Sequence, residues 1–200
     1  MNDKAKAHFE KVDPVLFEAL SKVGEFRQVE PSLPSEYFTA LCRAVIGQQL
    51  STKVARVIFK RFLLLFPEQK LTPKALLTIP QETLRASGMS NAKVKFLLDL
   101  AQKVDSGQLS LESLSDLKDE EVILELTKIK GIGRWTAEMF LISSLGRLDV
   151  FSFGDLGLKR AIKNLYQGAE SVQELEEITA KWSPYRSIAC RILWLSLDNN

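Results

Sequence analysis

Among the titratable side chains of this chain, Asp155 has the setting best suited to acid–base or charge-stabilising chemistry. It follows Phe151-Ser152-Phe153-Gly154, an aromatic approach that can partly desolvate a carboxylate. Leu156, Leu158, Ala161 and Ile162 then recur at helical spacing, so Asp155 stands at a helix start, where the macrodipole favours the ionised form. A carboxylate beside an aromatic-lined space, with Phe153 in its wall, suits stabilisation of positive charge on a sugar and orientation of a water. The same aspartate also reads as an ordinary N-cap. Upstream, Gly131-Ile132-Gly133 ends one apolar segment (Val122, Leu126, Ile129) and begins another (Ala137, Phe140, Leu141). Glycines permit a tight turn and close approaches. Amides at the start of the second helix would attract an anion, a phosphate above all. A lone Gly-x-Gly is a weak signal, so other chemistries have to be weighed against it.

Several are excluded by what the chain carries. No phosphate-binding P-loop is present, and no G-x-G-x-x-G follows a strand. The single histidine, His8, lies in an N-terminal segment expected to be mobile, which argues against a Ser-His or Cys-His nucleophile. Cys42 and Cys190 sit far apart in apolar helical contexts and read as reduced core thiols. With one histidine they cannot build a Cys/His metal site. A hydrophobic content of 46% against 26% charged residues favours a packed core over disorder. The net charge of +2 is a poor footprint for a nucleic-acid partner, so that case rests on distribution. Lys53, Arg56, Lys60 and Arg61 form one basic group, and Lys128, Lys130 and Arg134 another; each reads equally as a solvated helix face. Met1 to Lys11 has no signal-peptide core and no segment approaches the ~18 apolar residues of a membrane span, so an intracellular protein with no membrane partner is expected.

The elements that must position these residues read as helices throughout. Asp13 caps a helix with Pro14 in its first turn, stopped near Gly24. Ser35 opens a second, with Phe38, Leu41, Cys42, Val45 and Ile46 inward. It breaks at Gly47-Gln48-Gln49-Leu50, and Ser51 caps the next, expected to bury Val54, Val57, Ile58, Phe62 and Leu65. This short polar loop reads first as a helix corner, and otherwise as a projection whose Gln48, Gln49 or Leu50 enters another surface. Two short helices follow Pro73 and Pro80, and a longer one ends at Gly107. Asp119-Glu120-Glu121 opens the helix leading into the glycine turn. The helix after Asp155 ends at Gly168, Ser171 with Glu174 forms a capping box, and Ser183 with Pro184 opens the last helix. No paired alternating runs indicate strands. The expectation is an all-α fold of about ten helices.

Four segments in order carry a resemblance: Arg43 to Ser51 (RAVIGQQLS), Lys130 to Ala137 (KGIGRWTA), Asp149 to Arg160 (DVFSFGDLGLKR) and Trp182 to Ala189 (WSPYRSIA). They resemble the helix-hairpin-helix DNA glycosylase superfamily, in its 3-methyladenine DNA glycosylase II branch, over about Ser35 to Leu197. The resemblance implies a two-lobed helical bundle with the active cleft between the lobes. Residues 35–145 would form the central lobe with the hairpin, and 1–34 plus 146–200 the second lobe of one glycosylase unit. The segment before Ser35 is too short for the extra N-terminal β-rich domain of the longest relatives. Asp155 matches the catalytic aspartate. Lys130, Gly131, Ile132, Gly133 and Arg134 match the phosphate-binding element, and Trp135 and Trp194 match aromatic positions around the base pocket. Gln48, Gln49 and Leu50 match the wedge that fills the gap left by an extruded nucleotide, with Gln49 the nearest. Main-chain carbonyls at Thr127, Ile129 and Gly131 match those that hold a monovalent cation, Na+ or K+, in relatives; no cofactor is otherwise required.

The implied activity is hydrolysis of the N-glycosidic bond of alkylated purines, of the 3-methyladenine and 7-methylguanine type, after base flipping in damaged double-stranded DNA. Lyase members carry a nucleophilic lysine where this chain has Trp135, so a monofunctional reaction is implied. The four-cysteine run of the iron–sulfur branch is missing. A monomer is implied, in the cytoplasm or nucleoid of a bacterium or the nucleus of a eukaryote. Two alternatives stand beside it: a non-catalytic damage-binding module using the same hairpin, and a glycosylase for deaminated or oxidised bases.

Overall fold

The computed structural model describes residues 3–23, 30–167 and 171–198, and in these residues it has twelve α-helices and no strand. Its contacts divide the chain into two units, one formed from Met1–Glu30 with Gly146–Asn200 and the other from Pro31–Leu145. Helices α1 (Asp3–Val12) and α2 (Pro14–Lys22) open the first unit. The second unit holds α3 (Tyr37–Gly47), α4 (Thr52–Leu63), α5 (Pro73–Thr78), α6 (Gln81–Ala86), α7 (Asn91–Asp105), α8 (Asp119–Thr127) and α9 (Arg134–Ser143). The chain then returns to the first unit with α10 (Leu156–Leu165), α11 (Val172–Ala180) and α12 (Arg186–Asp198).

In the second unit α3 is the central element, packed on α4, α7 and α9. Its N-cap, Glu36, makes no side-chain cap hydrogen bond. Packing holds it instead: Tyr37, Phe38, Leu41, Cys42, Val45 and Ile46 are all buried, and a large buried apolar side chain contributes about 1.5–3 kcal/mol. Tyr37 meets Phe140 of α9 edge-on at 5.3 Å between ring centroids. Burial drives the Cys42 thiol far above its ordinary pKa, so it behaves as a core hydrophobe. Ser35 lies in a 3-10 turn, Pro34–Glu36, and α3 itself begins at Tyr37. On α4 the inward set is Ile58, Phe59 and Phe62. Val54 and Val57, expected inside, are exposed among Lys53, Arg56 and Lys60, since burial on α4 begins only at Ile58.

In the first unit α12 packs on α10 and on α2. The segment expected to be mobile is helical as α1, with Ala5 and Phe9 buried. His8 Nε2 lies 2.9 Å from the Lys181 carbonyl, and the His8 ring meets Tyr185 edge-on. Asp13 caps α2 through Leu16 N at 3.0 Å. Its other oxygen accepts from Trp182 Nε1 at 2.7 Å and from the Tyr166 hydroxyl at 2.8 Å, so one buried carboxylate ties α2 to the chain ahead of α12. The last helix begins at Arg186, after a cis Ser183–Pro184 peptide, and not at Pro184. The stops expected at Gly24 and Gly168 lie outside the described residues.

Candidate active site

Asp155 is the N-cap of α10, 8% exposed, and its Oδ1 accepts from Leu158 N at 2.8 Å. The N-cap and the candidate catalytic carboxylate are therefore one group. Trp194 Nε1 of α12 donates to the same oxygen at 3.2 Å, so this indole orients the carboxylate. Gly157 leaves room for it: a Cβ there would stand 3.0 Å from Asp155 Oδ1 and 3.5 Å from Trp194 Cδ1. Phe153 is half-buried and stacks edge-on against Phe151 at 4.8 Å, with Phe151 tilted against Trp182 at 5.9 Å. Leu156, counted inward by its spacing, is 80% exposed and sets an apolar surface directly after the carboxylate.

The segment leading to Asp155 is held by the start of α12. Asp149 accepts from Arg186 Nε at 2.8 Å, Arg186 Nη2 at 3.0 Å and Ser183 Oγ at 2.9 Å. Burial pushes its carboxyl up, but the hydrogen bonds and the guanidinium charge outweigh that and hold it below the usual carboxylate range. Val150 N donates to Ser187 Oγ at 2.9 Å and Ser187 N donates to the Leu148 carbonyl at 2.9 Å. Arg186, Ser187 and Trp194, all on α12, thus fix the segment and the carboxylate at its end. Asp149, Arg186 and Ser187 were not singled out from sequence, although they lie inside two of the motifs.

The other candidate residues lie in the second unit. Between α8 and α9 the chain turns through Gly131 at φ +80°, where an added Cβ would fall 2.1 Å from a ring carbon of Phe96. Gly131 is therefore required by its own fold. Gly133, the N-cap of α9, has an ordinary φ of −92°, and a Cβ there meets nothing within 4 Å. Its openness lies at a helix start, where first-turn amides have no intrahelical partner. Ile132 is buried and anchors the turn from inside. Lys130 N donates to Asp99 Oδ2 at 2.9 Å, which commits that amide to a carboxylate. Arg134, expected to face DNA, is held by Glu120 at 3.1 Å and by the buried Glu138 at 2.9 Å. Hydrogen bonding to Glu120, ahead of the two carboxylate charges, raises its pKa further.

The Gly47–Leu50 loop is a type II turn. Gln48 has φ −51° and ψ 131°, Gln49 has φ +56°, and Leu50 N donates to the Gly47 carbonyl at 3.2 Å. Gln48 does not project. Its Nε2 donates to the Gly131 carbonyl at 2.8 Å and to Thr136 Oγ1 at 3.2 Å, joining the loop to the hairpin. Gln49 and Leu50 are exposed. Lys93 Nζ, which sequence reasoning missed, donates to the Ile46 and Gln48 carbonyls at 2.7 and 2.8 Å. Beside the loop a cleft of about 670 Å³ is lined by Arg43, Gln48, Phe59, Trp135 and Met139 among others, with Trp135 43% exposed. The carbonyl donor set expected for a monovalent cation is part of this turn: Ile129 accepts from Ile132 N, and Gly131 from Gln48. A carbonyl oxygen has two lone pairs, and neutral oxygens are the kind of donor a hard cation takes. Among the described residues no group of three or more His, Cys, Asp or Glu side chains could hold a metal.

Residues 42–184, which span the loop, the hairpin and Asp155, match the HhH-GPD superfamily of base excision DNA repair proteins. The chain belongs to this superfamily. DNA-3-methyladenine glycosylase 1 of Schizosaccharomyces pombe is 34% identical over 198 residues, covering 96% of this chain and 86% of that protein. A putative DNA-3-methyladenine glycosylase of Bacillus subtilis is 31% identical over 169 residues, covering 80% of this chain but only 59% of the relative. The structure of the S. pombe 3-methyladenine DNA glycosylase in complex with abasic DNA matches with a TM-score of 0.85 at 33% identity, over 96% of this chain and 95% of that one. The all-helical architecture is that of the HhH-GPD fold. Among the described residues no helix is long and apolar enough to cross a membrane.

Proposed function

We propose that this HhH-GPD protein is a monofunctional DNA glycosylase that releases alkylated purines, such as 3-methyladenine and 7-methylguanine, from double-stranded DNA as a monomer. The observation that carries the reading is Asp155: a buried carboxylate at a helix start, oriented by Trp194 and approached by aromatic residues. An N3- or N7-alkylated purine is cationic. When its C1′–N bond breaks, the electron pair neutralises the ring, so the base leaves with little general-acid help. Positive charge then develops on the sugar, and the Asp155 carboxylate stabilises it and directs a water to C1′. Attack by that water completes hydrolysis, its proton passing to the carboxylate or to solvent.

Trp135 stands where lyase members of the family carry lysine. An indole cannot form a Schiff base, which supports a reaction that stops at the abasic site. The exposed Trp135 suits stacking on a flipped cationic ring, while Trp194 is half-buried and donates to Asp155. The open Gly133 and the first-turn amides of α9 suit a phosphate, gripped without sequence readout. The carbonyls of Thr127, Ile129 and Gly131 would hold a monovalent cation there, supplying positive charge toward the same phosphate. A DNA substrate places the work at the chromosome, in a nucleoid or a nucleus.

The test is base release from duplexes containing 7-methylguanine, 3-methyladenine, ethenoadenine or hypoxanthine, with Asp155→Asn in parallel. Wild type releases at least one alkylated purine, and the variant loses roughly 10²-fold or more in rate while still binding DNA. A fully active variant, or a wild type that releases none of them, overturns the reading. Borohydride trapping of a protein–DNA adduct would contradict the monofunctional assignment.

A further inference from the structure

Gln49 stands in a conformation its side chain disfavours. The third position of a type II turn asks for glycine or asparagine, because φ there is positive. Here it is glutamine at φ +56°. Type I and type II turns differ by a flip of the central peptide, which points the carbonyl of the second residue to opposite faces. In this loop that carbonyl belongs to Gln48, and it accepts from Lys93 Nζ at 2.8 Å. The same ammonium also holds the Ile46 carbonyl at 2.7 Å, near the C-terminus of α3, where the helix dipole favours a cation. On its own helix Lys93 is misplaced by that rule. It lies in the first turn of α7, its backbone N donating to the N-cap Ser90 Oγ at 3.3 Å, where a positive charge is unfavourable. Burial moreover lowers its pKa. Both features have a purpose if the lysine serves the loop rather than α7. From the opposite side, Gln48 Nε2 pins the loop to Gly131 and Thr136.

We infer that Lys93 is a positioning residue: it locks the Gln48–Gln49 peptide in the type II orientation and so presents Gln49 outward. This rests on the glycosylase reading, in which the loop fills the gap left by the flipped nucleotide. Without the ammonium the peptide is released toward type I, φ of Gln49 turns negative, and its side chain leaves its direction of presentation.

The experiment is a double-mutant cycle of Lys93→Met and Gln49→Ala in the full chain, with Lys93→Arg as the conservative variant. It is read as kcat/KM on a 7-methylguanine duplex and as nuclear Overhauser contacts at the turn. Lys93→Met is expected to lower kcat/KM roughly 10-fold or more, in line with the cost of a small misplacement. It adds nothing in the Gln49→Ala background, because it acts through that residue. Lys93→Arg restores most of the activity. The strong contact from Gln48 Hα to Gln49 HN, typical of type II, is lost in Lys93→Met and kept in Lys93→Arg. Losses that multiply in the double variant, an unchanged kcat/KM, or a type II pattern that survives Lys93→Met each overturn the inference. If wild type releases no base, the glycosylase reading fails, and the contacts at the turn still decide whether Lys93 holds it.

Discussion

Gly131 and Gly133 sit two residues apart in one turn and answer to different constraints. Gly131 combines a left-handed φ with a ring carbon of Phe96 2.1 Å from any Cβ, so Gly131→Ala strains the backbone and overpacks the core together. The cost is expected to be about 2–4 kcal/mol, a fall in Tm of roughly 5–10 °C for a chain of this size. Gly133→Ala meets no protein atom and keeps an allowed φ. Its stability cost should be under ~1 kcal/mol, the small penalty of alanine at an N-cap. Its methyl, however, projects at the helix start where a phosphate would approach, so duplex affinity should fall roughly ten-fold or more. Thermal melting and fluorescence anisotropy on the pair separate the two roles. Equal losses of stability, or undiminished binding by Gly133→Ala, would show that the distinction is wrong. Asp155 shows the same doubling of duty: the N-cap and the chemical reading, set against each other in the sequence, belong to one carboxylate with Leu158 N and Trp194 on one oxygen.

At the scale of elements, α12 is the ruler for the candidate catalytic segment, since Arg186 and Ser187 grip its start and Trp194 its end. Asp149→Asn keeps the shape but loses the charge that Arg186 pairs with, and should cost about 1–2 kcal/mol at neutral pH. The pH dependence has a definite sign. The folded Asp149 carboxyl lies below its unfolded value, so its stabilisation is complete above the unfolded pKa of about 4 and is lost as pH falls through the folded value. The gap in stability between wild type and Asp149→Asn, followed by urea denaturation, should be constant from pH 8 to 5 and close on further acidification. A gap that widens in acid would contradict the ion pair. What could be read from the sequence follows the same division of scale. Caps at Asp13, Ser51, Ser171 and Asp155 are local, each needing only a side chain three residues from an amide, and the structure has all four. Helix α1 escaped because its charged composition hides two buried residues, Ala5 and Phe9, and its contacts with Tyr185 and Lys181 are remote in sequence. Asp13 with Trp182 and Tyr166, Lys93 with Gln48, and Arg134 with Glu120 and Glu138 are also long-range or conditional on helix placement. Of these only the Arg134–Glu138 pair, four residues apart on α9, follows a spacing rule.

For the whole molecule the question is how a chain of net charge +2 holds a polyanion. Part of its positive charge is already engaged. Arg134 pairs with Glu120 and Glu138, Lys128 with Glu125, Lys103 with Asp99 and Arg186 with Asp149. Lys93 is turned onto main-chain carbonyls. In the second unit, exposed cations near the loop and the hairpin in sequence and outside these ion pairs include Arg43 on α3, Lys53, Arg56 and Lys60 on α4 and Lys130 in the turn. Neutral amides at the start of α9 supply contacts that displace few counterions. If about four phosphates are neutralised, the slope of log K against log salt should be near −3.6, and affinity should fall roughly 10²-fold between 50 and 200 mM salt. Anisotropy titrations on an undamaged duplex measure this slope. Charge reversal at Lys53 or Arg56 should make it shallower by about one to two, whereas reversal at Lys128 should leave it nearly unchanged. A slope of about −8 or steeper would mean that Arg134 and the other paired cations leave their carboxylates for DNA, and the ion pairs around the hairpin would then belong only to the free protein.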